Sequence, residues 1–165
     1  MVLNAFASVF LVLCLFAAVH DINRLTIPNW LNLTIAVLFV PAAFAAGLPI
    51  EIVGGHLVVA ALAFLVAFGL FAFNIFGGGD AKMIPAVMLW MGPNAGFEFV
   101  MYMALVGGLC AGVVLMVRRA MPAAVLPQVI RAPFEDNAGV PYGVAIAAGA
   151  FLAGSGSPFL ANLLS

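Results

Sequence analysis

Two stretches of this chain carry carboxyl groups where carboxyl groups are costly. Asp21 opens the run that ends at Pro28 and Asn29, and Asp80 closes a run of three glycines, Gly77, Gly78 and Gly79, with Lys82 just beyond it. Both stretches border long apolar segments, and an ionisable side chain at or near membrane depth is a functional candidate by default. Two carboxyls brought close together cannot both ionise cheaply, so such a pair holds one proton over a useful pH range. The charged member can then take a proton from an attacking water, and the protonated member can donate to the developing oxyanion or the leaving amine. Because coupled sites titrate as a unit, the sequence does not divide these roles between Asp21 and Asp80. Metal chemistry has no comparable support. His20 and His56 are isolated, and Cys14 and Cys110 lie in separate apolar runs outside any Cys-x-x-Cys pair. No metal and no cofactor is expected.

The elements that must position these groups follow from composition. Of 165 residues, 67% are apolar and 7% charged, against roughly a quarter charged in a soluble domain. Each bilayer crossing needs roughly 20 mostly apolar residues, and the breaks in hydropathy place spans near residues 2–20, 30–47, 56–76, 81–92, 99–117 and 141–161. The expected fold is therefore all-α, a polytopic membrane protein of about six transmembrane helices in a single domain, 1–165, with no internal repeat. The fourth span is short and must extend toward Phe97, tilt, or sit partly at the interface. The first run resembles a secretory signal in hydrophobicity, but no Lys or Arg precedes it and no clear cleavage site follows, so it reads as a retained span. A net charge of −1 offers nucleic acid no basic surface; lipid is the expected surrounding.

Alternating connections put Arg24, Lys82, Arg118, Arg119 and Arg131 on one face and only Glu51 and Glu98 on the other. Cytoplasmic loops collect Lys and Arg, which makes the first face cytoplasmic and both termini non-cytoplasmic. Spans two and three form an out-and-back hairpin, so Asp21 and Asp80 return to the same face and a similar depth.

Structural roles compete with the chemical one. Asp80 could serve as an ordinary helix N-cap, and Asp21 could pair with Arg24 in the headgroup region. The neighbouring backbone argues for more: three glycines suit a bend or close approach, and Pro28 holds Ile27 extended. Irregular backbone at membrane depth is tolerated only where it is buried in protein or lines a wet cavity. Glu135 and Asp136 read as a solvated acidic couple, with binding of a basic segment as the alternative. Met83, Met88, Met91, Met101 and Met103 read as packing residues, and Gly107, Gly108 and Gly112 as sites of close helix packing. Arg24 is expected at phosphate headgroups.

These residues also carry a resemblance. Asp21 with Ile27, Pro28 and Asn29, followed by Gly77-Gly78-Gly79-Asp80-Ala81-Lys82, resembles the paired signatures of the type IV prepilin peptidases, membrane aspartic proteases with a Gly-x-Gly-Asp motif. The segment from Pro141, Tyr142 and Gly143 to Ala147 resembles the opening of the last helix in their short Tad/Flp-pilus branch. The resemblance implies that Asp21 and Asp80 are the catalytic pair. It implies a prepilin partner whose short basic leader is removed at the cytoplasmic side of a bacterial inner membrane, with Gly77, Gly78, Gly79, Lys82, Pro28 and Asn29 shaping the site or touching substrate. Bifunctional relatives carry a cytoplasmic insert with paired Cys-x-x-Cys motifs and methylate the new N-terminus. Nothing here matches that insert, so proteolysis alone is expected. An ion-coupled transporter using the same aspartates, or a non-catalytic subunit of a pilus or secretion assembly, are the competing readings.

Overall fold

The computed structural model describes residues 2–135 and 138–164. Helices α1 (Val2–Arg24), α2 (Asn29–Ala45), α3 (Ile50–Ala72), α4 (Gly78–Ala120) and α6 (Tyr142–Ala153) make up the body. The short helices α5 (Gln128–Arg131) and α7 (Ala161–Leu164) lie in the connections, and no strand occurs among the described residues. Three helices, α1, α3 and α4, are long and apolar enough to cross a membrane. The segments from Asn29 to Ala45 and from Tyr142 to Gly156 are apolar but shorter.

Although its hydrogen bonding runs from Gly78 to Ala120, α4 is two helices. Gly92 sits at φ 65°, ψ −169° inside it and is followed by Pro93. The Tyr142 ring packs on Phe76, with centroids 5.2 Å apart, and also on Gly107. A straight helix would hold residues 76 and 107 about 46 Å apart at 1.5 Å per residue. The chain therefore folds back at Gly92, and residues 78–91 and 93–120 form two arms that return to one end of the molecule. Together with α1, α2, α3 and α6 they make six helical passes, the expected all-α architecture.

Several boundaries differ from the hydropathy reading, each for a local reason. Helix α1 runs on to Arg24, so Asp21 belongs to its last turn and not to the connection. The helix stops because Leu25 adopts φ 51° while its N–H closes back on Asp21 O at 2.8 Å, a left-handed cap of the kind glycine usually provides. The third pass starts earlier and ends earlier, Ile50–Ala72, and Asn74 turns the chain at φ 57°. The anticipated loop between passes four and five shrinks to Gly92 alone, since the residues after it are helical from Pro93 onward. The last helix ends at Ala153 and passes into a 3-10 turn at Gly154–Gly156, well short of residue 161. Two glycines and Pro158 in quick succession make continuation of that helix unfavourable.

Packing is tightest where glycine removes bulk. A Cβ on Gly149 would stand 3.0 Å from Phe99 O and 3.1 Å from Met103 N, so α6 lies directly on the second arm of α4. Gly107 meets Tyr142 and Ala145 in the same seam, whereas Gly108 and Gly112 face open space and pack against nothing. Met83, Met88, Met91 and Met103 are buried, but Met101 is exposed and is not a core residue. The far half of the bundle centres on Trp90, which stacks on Phe10 at 4.5 Å and meets Phe39 and Phe159 edge-on. Gly149→Val should lower the melting temperature in detergent, corresponding to about 1–3 kcal/mol of overpacking, while Gly108→Val should leave it unchanged. Equal effects of the two substitutions would refute this account of the seam.

Candidate active site

One end of the bundle gathers the last turn of α1, the turn 25–28, and the first turns of α2, α4 and α6. All five basic residues belong to segments that meet at this end, while Glu51 in the first turn of α3 and Glu98 near Gly156 mark the other. Asp21 and Asp80 both line a single cavity of about 220 Å³ here, and they are close enough for the charge on one to act on the other. They are 4% and 8% exposed. Buried carboxyls are rarely left without partners, and the two carboxyls are partnered differently.

Asp21 Oδ2 accepts the backbone N–H of Gly143 at 2.8 Å, across 122 positions of sequence. Gly143 is the second residue of α6, so the carboxylate faces a helix N-terminus, where unpaired N–H groups and the helix dipole favour an anion. A Cβ at Gly143 would lie 2.9 Å from Asp21 Cβ and 3.0 Å from Oδ2. Only glycine leaves room for the carboxylate at that position. The pairing of Asp21 with Arg24 does not occur; the hydrogen bond goes to Gly143 instead.

Asp80 is not the N-cap of α4. That place belongs to Gly77, which is extended at φ −68°, ψ 151°, and Asp80 follows three residues later within the first turn. Its Oδ2 leans over Gly77, where a Cβ would stand 2.9 Å away. Its Oδ1 is buried with no hydrogen-bond partner, a group that costs free energy until something donates to it.

The other residues singled out from sequence divide by role. Gly79 lets the 25–28 turn approach, since a Cβ there would meet Ile27 N and Cβ at 3.0 Å. Gly78 faces Phe71. Both are helical, so of the three glycines only Gly77 has extended backbone at the cavity. Lys82 Nζ donates to Asn29 Oδ1 at 2.8 Å and ties the start of α4 to the start of α2. Pro28 is the N-cap of α2 at φ −61°, ψ 139°, and His20 Nδ1 bonds Thr26 O at 2.6 Å to close the turn. Arg118 donates to Pro133 O and Ala138 O, so it organises its own loop. Asp136 lies outside the described residues, and Glu135 borders the separate pocket between Arg118 and Arg131.

Sequence reasoning missed Asn32. It is buried in α2 and donates from Nδ2 to Gly79 O at 3.2 Å, gripping the peptide that leads into Asp80, while its Oδ1 has no partner. An amide four residues after Pro28, on an otherwise apolar helix face, was the available signal. Gly143 was noticed only as part of a motif, and its donor role depends on a contact no local pattern encodes.

The chain is thus a multi-pass helical protein that buries two carboxyls in one cavity at one end. Residues 8–115 match the type IV leader peptidase family, a stretch that includes Asp21 and Asp80, and the chain belongs to that family. Its general activity is therefore that of a leader-peptidase-type protease. No curated protein and no solved structure matches the chain. Gly143→Val should cut proteolysis about a hundredfold, the cost of displacing a catalytic group by about 1 Å, with undiminished protein in the membrane. Wild-type turnover in that variant would show that the Gly143 contact is incidental.

Proposed function

We propose that this protein is an aspartic endopeptidase that removes the basic leader of type IV, Flp/Tad-type, prepilins at the cytoplasmic face of a bacterial inner membrane. The observation that carries the reading is the shared cavity of Asp21 and Asp80. The basic residues on the same end support a cytoplasmic orientation by the positive-inside rule, and a leader cut there need not cross the bilayer.

In this reading the N–H of Gly143 steadies negative charge on Asp21, because a charge-assisted hydrogen bond at a helix N-terminus favours the ionised acceptor. Asp21 takes the proton from water as the oxygen attacks the scissile carbonyl. Asp80, whose Oδ1 has no donor, carries the shared proton and passes it to the leaving amine. The scissile segment must be extended for its carbonyl to be reached, and Gly77 presents extended backbone at the cavity with which it can pair. No methyl transfer belongs to this activity.

Co-expression with a candidate prepilin tests the reading. Leader loss by the wild type and its abolition in both Asp21→Asn and Asp80→Asn, with each variant still inserted, is the expected result. Continued cleavage in either variant would remove that residue from the catalytic pair, and prepilin left uncut by the wild type would reject the substrate.

A further inference from the structure

A carbonyl four residues before a proline has no helical N–H to accept. Pro93 leaves Leu89 O in that position, in the interior of a membrane protein where water is not at hand. His56 of α3 fills the gap: its Nδ1 lies 2.6 Å from Leu89 O. Since a carbonyl only accepts, Nδ1 carries the hydrogen. The ring is 2% exposed, sits against Phe39 and Phe159 at 5.7 and 5.6 Å, and lies across Gly92, where any Cβ would overlap it. The next carbonyl, Trp90 O, receives Ser157 Oγ at 2.6 Å. Trp90 Nε1 in turn donates to Ile35 O at 3.0 Å. The fold-back is thus bound to α2, α3 and the segment after α6 by three side-chain hydrogen bonds.

We infer that His56, seconded by Ser157, is a positioning residue for proteolysis: it pins the fold-back at Gly92 and so fixes the axis of the 78–91 arm that presents Asp80. The mechanics favour it. Asp80 stands twelve residues from Gly92, about 18 Å along a helix, so a tilt of about 5° at the break moves Asp80 by about 1.6 Å. A displacement of that size is enough to cost about a hundredfold in rate. An aromatic residue would fill the same space without supplying the donor. The requirement is therefore for a hydrogen-bond donor as well as bulk.

The inference rests on the assignment of Asp80 as catalytic, and the test separates the two. In the full-length protein, His56→Phe keeps the ring but loses the donor, and His56→Gln restores an amide donor. His56→Phe should lower kcat about a hundredfold with KM within roughly twofold, the signature of lost transition-state geometry without lost binding, while His56→Gln recovers most of the activity. Spin labels at the exposed positions Ile75, in the turn that leads into the 78–91 arm, and Leu109, on the second arm, in a Cys14→Ala, Cys110→Ala background, report the separation between the start of the first arm and the second without reference to activity. A narrow distance distribution is expected for the wild type and His56→Gln, and a shifted or broadened one for His56→Phe. Ser157→Ala should show a smaller change of the same kind, and decides the matter if His56→Phe does not accumulate. Wild-type kcat or an unaltered distribution in His56→Phe, or in Ser157→Ala where that variant decides, overturns the inference. A changed distribution alongside cleavage indifferent to Asp80→Asn would instead retain the pin and reject Asp80 as catalytic.

Discussion

At bilayer depth a backbone carbonyl or amide that leaves its helix must find a partner inside the protein, because lipid offers none and the cost of leaving it bare is several kcal/mol. This chain breaks its helices at two places near functional parts, the turn after Arg24 and the fold-back at Gly92. Several of the contacts described above follow from it. Leu25 closes on Asp21 O and His20 takes Thr26 O around the first break. His56 and Ser157 take Leu89 O and Trp90 O at the second. The polar side chains of this very apolar protein are spent largely on its own irregular backbone.

The two aspartates sit where that accounting leaves room. Asp21 gains a donor from the start of α6, a helix that packs along the second arm of α4, while Asp80 retains an oxygen with nothing to accept from. The two carboxyls thus meet the shared cavity with different hydrogen-bond surroundings. The arrangement also explains the glycines economically. Gly143 makes space for a carboxylate and Gly79 for a turn; both serve the cavity by what they lack.

Much of this was legible in the amino-acid sequence. Composition and the lengths of the apolar runs require several membrane helices, and the parity of those helices returns Asp21 and Asp80 to one end. The Gly92-Pro93 pair signals a break, but not that the chain reverses on one residue, since a loop of about six residues, 93–98, satisfies the same hydropathy. The early end of α6 at Gly154 was hidden for a similar reason: residues 154–161 remain apolar enough to resemble a span while their glycines and Pro158 favour a turn. Gly143 and His56 were beyond reach because their partners, Asp21 and Leu89, lie 122 and 33 positions away and are set by how α6 and α3 dock. His56 in particular reads as an isolated histidine until the proline opposite it is seen to leave a carbonyl bare.

The central claim is that Asp21 and Asp80 act on one reacting centre. An experimental structure of the protein with a leader peptide whose scissile bond is replaced by a hydroxyl-bearing isostere tests it most directly. The account predicts the hydroxyl within about 3.2 Å of both carboxyl groups. A hydroxyl bound by one aspartate alone, with the other turned away into packed helix, would contradict it.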